Sequence, residues 1–282
     1  MSFPWPPPLG TSTSVFGGVL NEEQIEALNQ SAVASIEVIG VPVDTIAFEA
    51  LRRQLKGARF RINSVHLPFG RTLDLSQPDE SSRAQAAEET ANHLHRASLL
   101  GAPLAVVHPS AEPIGDQERT DRLDAARRSF TYLEKAAARF GMRLAVECLP
   151  RSCLGHTAVE LASIIDHVDP AVIGACIDVN HLNLREPDIA AAVAVLAPRL
   201  LTLHCSDNDG EDERHWLPGS LGGVVDWPAF LGALRSGGYT GPFMYEVRNL
   251  GIPPTDALRQ IEGNYREVIV PAATSAEPAP AV

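Results

Sequence analysis

VIGACID at 172–178, continued by VNH at 179–181, is the stretch that decides the fold. It is short, apolar on both alternating faces, and ends on a carboxylate, Asp178, with His181 three residues further on. A strand apolar on both faces belongs in a buried parallel sheet, where neither side meets water. Working outward, similar runs recur as SIEVIG (35–40), FRINSVH (60–66), LAVVH (104–108), RLAVE (143–147), LLTLHC (200–205) and PFMYEV (242–247), with a weaker one, LGTSTSVF, at 9–16. That makes eight candidate strands. Helical periodicity fills 79–100, 119–140, 157–167 and 228–236, with Gly101 and Gly141 as stops and Thr157 with Glu160 as a capping box. Regular alternation of strand and helix implies parallel βα units. Eight of them favour closure into a (β/α)₈ TIM barrel over an open doubly wound sheet, and no G-x-G-x-x-G follows the first strand.

The chain has 282 residues, a normal size for one such barrel. The reading is therefore a proline-rich segment at 1–9, a single barrel domain at 10–270, and a disordered tail at 271–282, PAATSAEPAPAV. A net charge of −12 repels phosphate backbones, so no nucleic-acid partner is expected. Cys148, Cys153, Cys176 and Cys205 form no C-x-x-C pair and read as buried free thiols in a reducing compartment. The first residues lack the basic start and apolar core of a signal peptide, and no apolar run approaches a membrane span. A soluble, cytoplasmic protein is the expectation.

What the strands end on carries the functional signal. The third ends at His66, the fourth at His108, the fifth at Glu147, the sixth at Asp178, the seventh at His204 and the eighth at Glu246. In a barrel these ends converge on one face. Clustered carboxylates repel one another, and with few Lys or Arg at the same positions a cation is the economical neutraliser. Carboxylate oxygens with an imidazole suit Mn²⁺, Mg²⁺, Co²⁺ or Zn²⁺. The loop SDNDGEDERHWLPGSLGGVVDW (206–227) is long, acidic and contains four glycines, as a lid or substrate loop would.

The pieces LAVECLP, GACIDVNHL, LLTLHCSDNDG, HWLPG and GYTGPFMYEV, taken in this order, resemble the xylose-isomerase-like barrel superfamily of sugar isomerases and epimerases. The resemblance to its ketose 3-epimerases implies one divalent ion on Glu147, Asp178, His204 and Glu246, with His181 touching substrate. Those enzymes carry an Arg six residues after the metal-binding His, where this chain has Gly210; Arg248 is the candidate replacement. The same superfamily includes endonuclease IV, whose three-zinc cluster would draw further ligands from His66, His108, His181 and His215, with Glu213 or the adjacent Asp212 in place of an Asp.

The expected chemistry is isomerisation or epimerisation of a ketose-like or inosose-like substrate through an enediolate. Glu147 and Glu246 move the protons, while His66, His108, His181, His215, Trp216 and Arg248 contact substrate and Phe69 helps Trp216 to cover its apolar face. The alternatives are a multi-zinc phosphodiesterase like endonuclease IV and a metal-dependent dehydratase that starts from the same proton abstraction. The expected partners are a small sugar or cyclitol and, as a homodimer, a second copy of the chain; no membrane is expected.

Overall fold

A computed structural model describes residues 5–220 and 222–276. Strand and helix alternate as β1 (Leu9–Ser12), α1 (Glu22–Gln30), β2 (Ser35–Val38), α2 (Thr45–Leu55), β3 (Arg61–His66), α3 (Glu80–Leu99), β4 (Leu104–Val107), α4 (Arg119–Phe140), β5 (Arg143–Glu147), α5 (Ala158–Ile165) and β6 (Ile173–Asp178). They continue as α6 (Val179–Asn183), α7 (Ile189–Leu196), β7 (Leu200–His204), α8 (Trp227–Ser236), β8 (Phe243–Tyr245), α9 (Pro254–Asn264) and α10 (Val270–Ser275). The eight parallel strands run in the order β7-β6-β5-β4-β3-β2-β1-β8. Cys205 closes the seam: its N–H donates to the Met244 carbonyl (2.8 Å) and its carbonyl accepts from Glu246 N (3.1 Å). This closure brings Glu246 beside His204.

The main core lies between barrel and helices, and a second small cluster of Leu104, Val106, Ala145 and Cys176 fills the barrel interior. Leu and Val beside Ala and Cys fill the interior of an eight-stranded barrel, which is just wide enough for side chains. Gly174 is required: a Cβ would overlap the Arg199 carbonyl where β6 passes the turn leading into β7. No helix among the described residues is long and apolar enough to cross a membrane.

The four expected helices are present as α3, α4, α5 and α8. The capping box at α5 is only half made. Thr157 accepts from Glu160 N, but the Glu160 carboxylate turns to Arg119 (2.6 Å) and Gly155 N (2.7 Å), because a guanidinium is the stronger partner. The first strand stops at Ser12, whose hydroxyl caps a 3₁₀ turn over Thr13–Phe16. The expected disorder from 271 gives way to helix through Ser275. A π-helical turn, Tyr265–Ile269, links α9 to α10, and Ala272 and Ala273 are buried. Alanine is the best helix former and approaches α8 closely. Trp5 Nε1 donates to the Ala273 carbonyl (3.1 Å), so the proline-rich start is tied to this helix. Residues 277–282 of the expected tail, and 1–4, lie outside the described residues.

Candidate metal centre

Four strands deliver the centre. Glu147 ends β5, Asp178 ends β6, His204 ends β7 and Glu246 follows β8, and one ligand atom from each lies within 4.8 Å of the others. His204 Nδ1 is 2.9 Å from Glu147 Oε1 and 3.3 Å from Glu246 Oε2. Ligand atoms ~2.1 Å from one ion stand about 3 Å apart when adjacent in an octahedron, so these spacings suit a shared cation.

Hydrogen-bond satisfaction gives an independent test. Four buried side-chain polar atoms among the described residues lack a hydrogen bond: one, Asp178 Oδ2, lies in the quartet, and two others, Glu37 Oε1 and His204 Nε2, face each other at 2.9 Å beside it. Native interiors rarely leave such groups unsatisfied, and a carboxylate oxygen without a donor is what a cation would use. Asp178 Oδ1 accepts from His181 N (3.1 Å), while Oδ2 has only an unaligned 3.2 Å approach from His181 Nδ1 and is the oxygen open to an ion. The residues present fit a divalent metal.

The two glutamates are not equivalent. Burial pushes Glu147 up, but His204 and His108 outweigh it and hold its carboxyl well below the usual range. Burial pushes Glu246 up, the charges of Glu147 and Asp178 add to this, and His204 offsets only part, so Glu246 stays raised. Glu147 Oε2 lies 3.1 Å from His66 Nε2 and 3.1 Å from His108 Nε2, while Oε1 faces His204. Burial would lower His66, yet its hydrogen bond to Glu147 wins and raises it to about 9. Burial likewise opposes His181, but Asp178, Glu213 and Glu147 raise it to about 10. Burial dominates at His108, which is lowered.

Above the quartet a cavity of about 340 Å³ opens, lined by Glu147, Glu246 and the imidazoles of His66, His108, His181 and His215. All four expected histidines therefore face the basin. Phe69 is exposed and stacks on His108, with centroids 4.0 Å apart, making an apolar wall. Further potential ligand groups adjoin the quartet: His66 with His108 and Glu147, and Asp178 with His181 and His215. Glu213 itself reaches His181, with Oε2 at 3.1 Å from Nε2, whereas Asp212 is exposed beside Arg151 and Arg214.

Two expected contacts fall elsewhere. Arg248 is exposed, donates to the Glu213 carbonyl (2.9 Å) and does not line the cavity. Trp216 also lies off the cavity wall, because its backbone pairs with Asp207 in both directions (2.8 and 3.0 Å). The loop that holds it is pinned rather than lid-like. The buried Asp207 carboxylate accepts from Asn208 N, Val224 N, Val225 N, Gly219 N and Trp227 Nε1, all at 2.8–3.2 Å. Within it His215 takes a left-handed backbone (φ 48°), which aims the ring inward, where Nδ1 meets Ser206 Oγ and the Glu246 carbonyl at 3.2 Å.

Arg71, Arg151 and Glu37 were not expected. Arg71 and Arg151 line the cavity, and Arg151 is bound by Glu112 (2.5 Å) and Glu213 (2.9 Å). Their signal was a cation in the loop after a strand end. Glu37, within SIEVIG, is fully buried against His204; its one signal was a lone charge inside an apolar run. The four cysteines are buried and unpaired, as expected.

Fold and site together define a parallel barrel with a cation-ready carboxylate–histidine centre at its C-terminal face. A family model described as "Xylose isomerase-like TIM barrel" matches residues 25–267, and the chain belongs to that family. Among curated proteins it is 24% identical over 212 residues to an uncharacterized protein of Methanocaldococcus jannaschii, covering 73% of this chain and 70% of that one. It is 28% identical over 160 residues to a D-psicose 3-epimerase of Enterocloster bolteae, covering 54% of this chain and 50% of the other. It is 24% identical over 188 residues to a probable endonuclease 4 of Acholeplasma laidlawii, covering 62% and 63%. Solved structures with the same fold include a D-psicose 3-epimerase in the presence of D-fructose (TM-score 0.79, 19% identity, 93% of this chain and 99% of that one). Another is the IOLI protein with a binding zinc atom (TM-score 0.78, 15% identity, 94% and 99%).

Proposed function

We propose that this chain is a divalent-metal-dependent isomerase or epimerase of a ketose-like or inosose-like sugar. One observation carries the reading: Glu147, Asp178, His204 and Glu246 converge at the floor of a cavity walled by imidazoles and one aromatic ring, with Asp178 Oδ2 buried and unsatisfied. Its size suits a monosaccharide-sized molecule. A bound divalent ion would act as a Lewis acid toward a carbonyl and the hydroxyl beside it. Glu246, whose carboxyl is raised and which lines the cavity, removes the proton next to the carbonyl and generates the enediolate. Glu147, held by imidazoles, serves as a fixed anion. His181 and His66 line the cavity with both ring nitrogens held by protein oxygens, Glu213 and the Cys148 carbonyl for the one and Glu147 and the Leu67 carbonyl for the other, so they fix the surrounding carboxylates, and Glu246, once protonated, returns the proton to the enediolate. Phe69 covers an apolar face of the sugar. A dehydratase would begin with the same proton removal, so the first assay targets that step.

Solvent deuterium exchange into a panel of ketoses and inososes tests this. Exchange next to the carbonyl by the metal-loaded protein, lost in Glu246→Gln with metal retained, is the expected result; no exchange into any member of the panel would overturn the reading. A second reading, a multi-zinc phosphodiesterase, is favoured by the two ligand groups that adjoin the quartet. Against it stands the net charge of −12, which opposes a nucleic-acid backbone, while at the cavity mouth Arg151 is taken up by Glu112, Asp212 and Glu213 rather than left for a phosphate. Elemental analysis separates the two: one ion per chain is expected, and close to three zinc ions would transfer the assignment to the phosphodiesterase.

A further inference from the structure

We propose that Glu37 is a positioning residue that acts through His204, setting which ring nitrogen faces the metal; this rests on the metal-centre reading above. Glu37 sits on β2, is wholly buried, and contacts two side chains, His204 and Ser64. No Lys or Arg pairs with it among the described residues. Burying a carboxylate is costly unless it is bonded, so this one needs a reason to be here.

The backbone supplies its aim. The β2–β3 register slips between Ile36 and Glu37, so that Ile36 pairs with Ile62 but Glu37 pairs with Ser64. Such an irregularity re-aims a side chain. Ser64 Oγ then donates to Glu37 Oε2 (2.8 Å) and leaves Oε1 pointing at His204 Nε2, 2.9 Å away. Asn63 Nδ2 braces this arrangement by donating to Ser64 Oγ (3.3 Å) and to Thr202 Oγ1 (3.2 Å), two residues before His204 on β7.

The chemistry follows from tautomers. A neutral imidazole has one N–H and one lone pair, and a metal takes the lone pair. Here Nδ1 is the atom that faces Glu147 and Glu246, so the proton must reside on Nε2. A carboxylate at Nε2 selects that tautomer, fixes the ring and makes Nδ1 a stronger donor. The Nε2–Oε1 contact is close at 2.9 Å, though not aligned as a hydrogen bond.

Co²⁺ titration of the metal-free full chain, with a competing chelator and the visible Co²⁺ bands as readout, tests this on wild type, Glu37→Leu, Glu37→Gln and Ser64→Ala. Glu37→Leu should weaken Co²⁺ binding by roughly 10–100-fold and shift the bands. Glu37→Gln, which keeps an acceptor oxygen, should recover part of the loss, and Ser64→Ala should show a smaller loss in the same direction. The Tm of the metal-free variants should not fall. Wild-type affinity and bands in the Glu37 variants would overturn the proposal while leaving the metal centre standing. A lowered metal-free Tm with unchanged affinity would assign Glu37 a purely structural role and overturn it as well. If Glu37→Leu does not fold, unchanged affinity in Ser64→Ala overturns it. A wild type that binds no Co²⁺ removes the metal-centre reading, and the proposal falls with it.

Discussion

Substituting Asn for Asp178 separates the fold from the metal centre, because the two carboxylate oxygens have different jobs. Oδ1 accepts from His181 N and caps α6, a role an amide oxygen can keep. Oδ2 is buried, has no hydrogen bond, and lies among Glu147, His204 and Glu246. In the metal-free protein the change removes a charge that raises Glu246 but also one that supports protonated His181, so the two effects oppose and the metal-free Tm should change little. With metal the balance is lost. A ligand present at ~1000 times its Kd stabilises the folded state by about 4 kcal/mol. At about 2 °C per kcal/mol for a domain of this size, the wild-type Tm should climb by ~8 °C. If the lost anionic ligand weakens binding ~1000-fold, the same metal concentration stabilises the variant by only ~0.4 kcal/mol, a shift of about 1 °C. Thermal unfolding followed by circular dichroism, after chelator treatment and with Mn²⁺, Co²⁺ or Zn²⁺ restored, reads both arms. An equal metal-induced rise in wild type and Asp178→Asn would refute the assignment of Oδ2 as a ligand; a marked fall in metal-free Tm would refute the division of labour between the oxygens.

Protonation supplies a second expectation. His66 and His181 are raised to about 9 and about 10 by neighbouring carboxylates, above the ordinary value of 6.5. Their ion pairs therefore stabilise the metal-free fold fully below pH 6.5 and stop doing so as pH climbs through 9 to 10. Metal-free Tm should fall over that window while metal affinity rises, since deprotonation removes two positive charges beside the quartet; a flat Tm together with a flat affinity would contradict it. Asp207→Asn should strip acceptors from the loop over 208–226, cost about 1–3 kcal/mol and speed proteolysis within that loop, and an unchanged cleavage rate would show that the carboxylate does not pin it.

The eight strands were legible in the sequence because a parallel barrel buries both faces, and that burial marks each strand locally as a short apolar run. The quartet was legible for a related reason: a strand end is a one-dimensional position, and topology turns it into a shared place. Glu147, Asp178, His204 and Glu246 needed only the assumption of closure, which the Cys205–Glu246 seam provides. Local pattern could not say which way a loop residue points. Trp216 read as a substrate contact from its loop and Arg248 as a stand-in for the Arg missing at Gly210, but Trp216 is held off the cavity wall by its backbone pairing with Asp207 and Arg248 by its bond to the Glu213 carbonyl, while the left-handed backbone at His215 brings that ring in. The sequence offered the two glutamates as equals. Only the structure separates them, because the imidazoles that saturate Glu147 come from β3, β7 and the end of β4.

By itself, then, the sequence determined the barrel and the four strand-end residues that meet in the candidate centre, since both follow from the spacing of apolar runs and the residue that ends each one. Tertiary structure alone decided which carboxylate the imidazoles surround, which loop is fixed, and that Glu37 stands behind His204. Those depend on Coulombic and hydrogen-bond partners up to 167 residues apart in the chain, and no local period encodes a partner at that distance.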